Sequence, residues 1–246
     1  MKLIILGSGT CVPSLKRNAP GYFLEAEGRQ ILIDCGSGTL LQLERAGKSY
    51  KDIDAVFITH LHPDHFSDLM PLIHALIATP KFKREKELLI AGQEGFKEYY
   101  ENAFIPILRR REFIKLIEIK SELELEPVKI FSTETIHIGK SLAYRFESGG
   151  RSVVFTGDAD YDQGLIDFSK DAGLLIADCS FPHSLKMKGH LSAKECGLVA
   201  QAAGVKRLIL SHIYPSDVSD NERVKEAQDV FDGKVELAED LMEVEI

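Results

Sequence analysis

Thr59-His60-Leu61-His62-Pro63-Asp64-His65 places three imidazoles and one carboxylate within six residues of the 246-residue chain. An apolar run, Ile53 to Ile58, precedes it and reads as a buried strand. Apolar residues at Phe66, Leu69, Met70, Ile73, Leu76 and Ile77 follow at helical spacing. Strand, polar cluster, amphipathic helix: that order sets the side chains at the carboxyl end of a strand, where α/β proteins build sites. Residues two apart on extended backbone share a face, so His60 and His62 can reach one cation together. Asp64 and His65 come after the chain turns and point towards a second cation beside the first. Imidazole nitrogen with carboxylate oxygen suits Zn²⁺ best, with Mn²⁺ or Fe²⁺ as alternatives. A helix N-terminus capped by Asp64, with incidental histidines, is the plainer reading. It strands too many polar groups without partners at a strand end.

The same grammar returns downstream. Val128 to Phe131 reads as a strand and leads through Thr133-Glu134-Thr135-Ile136 to His137. Ser152 to Thr156 ends in Gly157-Asp158, Leu174 to Ala177 in Asp178, and Lys206 to Leu210 in Ser211-His212. Four apolar strands in succession, each ending in one side chain of ligand type, argue for convergence on a common point. Ser192-Ala193-Lys194-Glu195 and Ser219-Asp220-Asn221-Glu222 read as capping boxes that open helices. Upstream, residues 2 to 6 read as a strand leading into Gly7-Ser8-Gly9-Thr10, a glycine turn that is a weak signal alone. Residues 21 to 26 and 30 to 33 read as a strand pair around Glu27-Gly28. Asp34 follows; it either steadies the 60–65 loop or caps a helix over Leu40 to Ala46. Leu88 to Ala91 and Ile114 to Ile119 read as strands, and Phe96 to Phe104 as a helix. Gly139 to Gly157 holds a hairpin turning at Ser148-Gly149-Gly150. His74 reads as a satisfied structural histidine and His183 as a loop residue.

The HxHxDH cluster resembles the metal-binding signature of the metallo-β-lactamase superfamily. The opening Gly7-Ser8-Gly9-Thr10 with Arg17-Asn18 resembles the rim loop of the ribonuclease Z-like group. Lys188-Gly189-His190-Leu191-Ser192 resembles that group's GH[ST] segment, and Asp178-Cys179-Ser180-Phe181 its E-A-T-F segment, with Asp for Glu. The resemblance spans nearly the whole chain. It implies an α+β fold, a four-layer αββα sandwich of two mixed β-sheets flanked by helices, as one hydrolase domain over residues 1–246. It implies two divalent ions: His60, His62 and His137 on the first, Asp64, His65 and His212 on the second, Asp158 bridging them. His190 would donate a proton to the leaving group, oriented by Asp178, while Asp64 also shuttles a proton. Asp34 resembles the family's inner aspartate behind the ligand loop. The implied activity is phosphodiester hydrolysis by a metal-bridging hydroxide; such a centre stays at about +1 with hydroxide bound and so attracts an anion. Aryl sulfatase, lactonase or other ester or amide hydrolysis on the same centre is the alternative, as is a non-catalytic metal-binding module.

One departure matters. Only twenty residues lie between His137 and Asp158. In that interval tRNA-processing members carry a Gly/Pro-rich arm, so tRNA is not the expected partner. A small-molecule or nucleotide-type anionic ester is. A homodimer is expected by analogy with the family.

Composition bounds the rest. With 44% hydrophobic and 28% charged residues the chain reads as soluble and globular, and no apolar run is long enough to span a bilayer. The start, Met1 to Gly7, reads as a strand rather than a secretion signal, so a cytoplasmic protein is expected. Cys11, Cys35, Cys179 and Cys196 are widely separated and read as reduced thiols. A net charge of −8 makes non-specific nucleic-acid binding weak. The basic runs Lys81 to Lys86 and Arg109 to Arg111 read as solvated helix faces or, less simply, as contacts to a substrate backbone.

Overall fold

The structure is a computed structural model that describes residues 1–246. The first half runs β1 (Lys2–Gly7), β2 (Gly21–Ala26), β3 (Arg29–Cys35), α1 (Thr39–Arg45), β4 (Ala55–Phe57), α2 (Pro63–Phe66), α3 (Leu69–Ala78), β5 (Leu88–Gly92), α4 (Phe96–Ala103), α5 (Ile105–Leu108) and β6 (Ile114–Glu118). The second runs β7 (Glu122–Leu125), β8 (Val128–Thr135), β9 (Ser141–Ser148), β10 (Arg151–Phe155), α6 (Gln163–Phe168), β11 (Leu174–Asp178), α7 (Ala193–Ala203), β12 (Arg207–Ser211), α8 (Asp220–Gln228), β13 (Lys234–Leu237) and β14 (Glu243–Glu245).

Two seven-stranded sheets result, ordered β14-β1-β2-β3-β4-β5-β6 and β13-β12-β11-β10-β9-β8-β7. Both are mixed. β14-β1-β2-β3 pair antiparallel and β3-β4-β5-β6 parallel. β7-β8-β9-β10 pair antiparallel and β10-β11-β12-β13 parallel. The inner faces meet in one core containing Leu3, Ile5, Phe57, Tyr144, Phe146 and Phe155, where Phe57 meets Phe146 edge-on at 5.2 Å. A second core lies between the first sheet and α1, α3 and α4. A third lies between the second sheet and α6, α7 and α8. These cores make the four-layer αββα sandwich. The alternation that builds it is visible in β8, where Val128, Ile130 and Ser132 are buried while Lys129 is exposed.

Several local expectations hold. Ser148 pairs with Arg151 across a two-residue turn in which Gly149 and Gly150 have φ of 57° and 74°. Both glycines thus take the left-handed conformation that this tight hairpin requires. Both capping boxes form, Ser192 with Glu195 and Ser219 with Glu222. All four cysteines are free, and only Cys11 is exposed. No helix is long and apolar enough to cross a membrane.

Other readings need correction. The helical run after the polar cluster is two helices, α2 and α3, broken at Ser67-Asp68. Asp68 explains the break: its N–H donates to the Cys35 carbonyl and its carboxylate accepts from Leu40 N, which ties that turn to β3 and α1. His74 is exposed, because it lies on the solvent face of α3. The basic runs lie in loops rather than on helix faces. Arg84 is buried and donates to the carbonyls of Lys51, Ile53 and Glu87, so it serves the fold. β7 and β14 are too short to declare themselves; β14 exists through its pairing with β1.

Candidate metal centre

Parallel strands set the site. β4 ends at Phe57, and the chain leaves the sheet through Ile58 and Thr59 into the polar cluster. His62 has extended backbone at the N-cap of α2; Pro63 starts that helix, and Asp64 and His65 lie in its first turn. On the facing sheet, His137 follows β8, Asp158 follows β10, Asp178 ends β11 and His212 follows β12. All leave their sheets at one edge.

The geometry separates two groups. In the first, His60 Nε2 lies 2.9 Å and His137 Nε2 3.2 Å from His62 Nδ1. Asp158 Oδ2 is 3.5 Å from His60 Nε2 and 3.6 Å from His137 Nε2. In the second, His65 Nε2 and His212 Nε2 are 3.3 Å apart, with Asp64 Oδ2 at 3.7 and 3.6 Å from them. The other oxygen of Asp158, Oδ1, faces this group at 3.3 and 3.4 Å. Asp158 therefore offers one oxygen to each set. Tetrahedral bonds of about 2.0–2.1 Å put neighbouring ligand atoms at about 3.3 Å, so most of these separations suit a metal ion without rearrangement. Asp158 Oδ1 is buried and has no hydrogen-bond partner, an orphan that a cation would satisfy. The donor set fits a pair of divalent ions.

The surrounding residues fix the tautomers. His65 Nδ1 donates to Asp34 Oδ2 at 2.7 Å, and His137 Nδ1 donates to the Gly189 carbonyl at 2.7 Å. His60 Nδ1 lies 3.0 Å from Thr59 Oγ1, and Thr59 donates through its N–H to Asp34 Oδ1 at 2.8 Å. His212 Nδ1 lies 2.9 Å from Ser180 Oγ, which donates to Asp178 Oδ1 at 2.6 Å. In each case a hydrogen on Nδ1 leaves Nε2 facing inward, where it holds either a proton or a cation. Of the two roles open to Asp34, steadying the loop is the one its contacts serve; α1 is capped by Gly38 without a side chain. Asp34 and His212 both sit in the left-handed region, at φ 55° and 56°.

His190 stands apart from both groups. Its Nδ1 is 2.9 Å from Asp178 Oδ2, which leaves Nε2 free to meet a substrate. Asp158, Asp178, His190 and His212 also bring ligand-type atoms within 4.8 Å of one another. There, however, the contacts of His190 and His212 run through Nδ1 to Asp178, so that cluster orients imidazoles and does not form a third donor group.

The electrostatics draw positive charge to the centre. Burial works to raise Asp158, yet His212 and His65 outweigh it and hold the carboxyl well below the usual range. Burial works to lower His65, but Asp158 and Asp34 push it up to about 10, and His212 is raised for like reasons. Burial drives His60 down, so its imidazole is neutral. His190 is raised, because Asp178 outweighs the effect of burial.

A cleft of about 320 Å³ opens beside Asp64, walled by Thr10 to Ser14, Arg17 and Asn18, so the opening loop lies at the rim. A larger cleft of about 710 Å³ lies among Phe82 to Glu85 and Arg110 to Phe113. Those residues precede β5 and β6, so that cleft is at the amino ends of the parallel strands, away from the metal edge.

Residues 29–213 match the family described as the beta-lactamase superfamily domain. The chain belongs to that superfamily. Within it, the chain is 33% identical to a probable metallo-hydrolase, YhfI, of Bacillus subtilis, over 97% of each protein. The crystal structure of YhfI superposes with a TM-score of 0.88 at 31% identity, covering 99% of both chains. It is 30% identical to ribonuclease Z of Archaeoglobus fulgidus over 100% of this chain and 97% of that protein. That alignment runs to 302 positions, so the archaeal protein carries insertions this 246-residue chain lacks. The short form of human tRNase Z shares the fold, with a TM-score of 0.80 at 23% identity over 100% of this chain and 99% of that one. These relatives place the superfamily member in the ribonuclease Z-like group.

Thr59 and Ser180 were legible only as parts of longer motifs, and their orienting roles emerge from the coordinates. The shared hydrogen bonding of Gly189 had no signal in the sequence beyond its place before His190.

Proposed function

We propose that the chain is a binuclear metal-dependent phosphodiesterase that holds one cation through His60, His62 and His137, a second through Asp64, His65 and His212, and both through Asp158. The observation that carries this reading is the split of the Asp158 carboxylate, one oxygen to each group. Zn²⁺ is the metal best matched to the donors, with Mn²⁺ or Fe²⁺ as alternatives. Such ions, when bound, lower the pKa of a water and take up charge on a phosphoryl oxygen.

The protein's own groups do the rest. The Asp178 carboxylate favours the protonated form of His190 against the effect of burial, and that form gives its proton from Nε2 to the departing oxygen. Asp64, lowered by His212 and His65 against the effect of burial, stays ionised and can accept the proton of the attacking water. Phe181 and Tyr214 stack at 4.9 Å beside His190, which gives an aromatic group or nucleobase a flat face to lie against. A nucleotide-type or small anionic ester fits. The archaeal relative's insertions and the short β9–β10 hairpin both argue against tRNA. A protonated donor is of most use to an alkoxide leaving group, which favours alkyl phosphodiesters over aryl sulfates.

The whole ligand set comes from one chain, which works as a single domain over residues 1–246; a homodimer is compatible with it but not needed to complete it. Free cysteines fit a cytoplasmic location. Protein loaded with Zn²⁺ or Mn²⁺ is expected to hydrolyse bis(p-nitrophenyl) phosphate. Absence of turnover with every metal, while circular dichroism shows the protein folded, would overturn the reading.

A further inference from the structure

Residues 183–188 precede His190 and are almost all exposed, including Leu185 and Met187 at 49% and 56%. Apolar packing therefore does little to hold this segment, and its position depends on polar ties. At its start His183 is tied to Glu226 and Ser192, and at its end the ties converge on Asp160. Its Oδ2 accepts from Gly189 N at 2.7 Å, and its Oδ1 accepts from Lys186 Nζ at 2.6 Å. Lys186 Nζ also reaches Glu195 Oε2 at 2.6 Å, and Glu195 closes the capping box of α7. On the other side, Asp160 N donates to the Ile136 carbonyl at 2.8 Å. Gly189 is thus gripped on both sides of its Cα, its N–H by Asp160 and its carbonyl by His137 Nδ1. Gly189 is buried with φ of +90°, a conformation other residues resist.

We propose that Asp160 is a positioning residue that sets His137 and His190 in register through Gly189, with Lys186 clamping it to the start of α7. The proposal rests on the functional reading above. If Asp160 is removed, Gly189 loses its anchor. His137 then loses the fixed carbonyl that orients it, and His190, the next residue, drifts from the leaving group.

The test uses full-length, Zn²⁺-loaded protein and a series of aryl methyl phosphates whose leaving phenols rise in pKa. Asp160→Ala is expected to lose about 10²-fold on the poorest leaving group, which depends on a proton, and only a few-fold on p-nitrophenolate, which does not. The same variant should release one of its two ions to a chelator about 10–100-fold more readily. Lys186→Met, which keeps the Asp160 carboxylate, should shift both readouts in the same direction by less and serves where Asp160→Ala fails to fold. Equal losses across the series together with unchanged metal retention would overturn the proposal, since a purely structural role lowers the melting temperature without steepening the leaving-group dependence. Failure of the wild-type protein on every diester would instead strike the functional reading, and the chelator arm would then decide on Asp160 alone.

Discussion

The two sheets furnish the site in opposite styles. The first contributes His60, His62, Asp64 and His65 from one loop after β4. The second contributes His137, Asp158, Asp178, His190 and His212 from five separate stretches. The loop is steadied from below by one carboxylate, Asp34, which bonds both Thr59 and His65. The dispersed half is steadied by a web of Ser180, Asp178 and the Gly189 carbonyl. A compact loop can be held by one residue; scattered strand ends need several, each doing less. Asp158 is the joint between the two styles.

Breaking the joint should have the largest effect. Asp158→Ala is expected to lose both ions and all measurable turnover, read by elemental analysis of the purified protein beside the diester assay. Retention of either ion would show that one half can hold metal without the other. Next comes the single prop of the compact half. Asp34→Asn should weaken metal binding about 10–100-fold, measured by competition with a chelator, because one amide oxygen cannot accept from both Thr59 and His65. In the dispersed half the comparable change should be milder and should appear in pH dependence. Asp178 raises His190 and burial lowers it. If protonated His190 is the donor, as proposed, activity should fall as pH climbs through its pKa, on a limb above the ordinary histidine value of about 6.5. Asp178→Asn leaves burial opposed only by the more distant Asp158, and that alkaline limb should move to lower pH in the rate profile. A limb that stays in place would remove His190 from the role of donor.

The contrast also accounts for what the sequence discloses. The compact half is a motif, since four ligand-type residues in one loop leave little room for another reading. The dispersed half is legible only through repetition: an apolar strand followed by one polar residue, four times over. This identifies Asp158 and His212 but says nothing about which oxygen faces which imidazole. Asp34 is undecided in sequence because a residue between a strand and a helix can cap or brace, and only the contacts of Thr59 and His65 decide. The break at Asp68 is hidden because its cause, a hydrogen bond to the carbonyl of Cys35, spans 33 positions of chain. His74 misleads because helical periodicity marks an apolar face without saying how wide it is. Arg84 misleads because a charge run looks the same whether it is solvated or folded inward onto carbonyls.

The backbone at His212 complicates any mutagenesis there. A φ of 56° costs a residue with a β-carbon about 1–3 kcal/mol, least for Asn, Asp and His and most for branched side chains. Replacement by Val would therefore combine a conformational penalty with a chemical one, and a dead enzyme would not say which had acted. Gly relieves the conformational penalty and Asn nearly does, so those two substitutions isolate the imidazole. A hydrophobic scan across this position would measure the shape of the turn before it measured the chemistry.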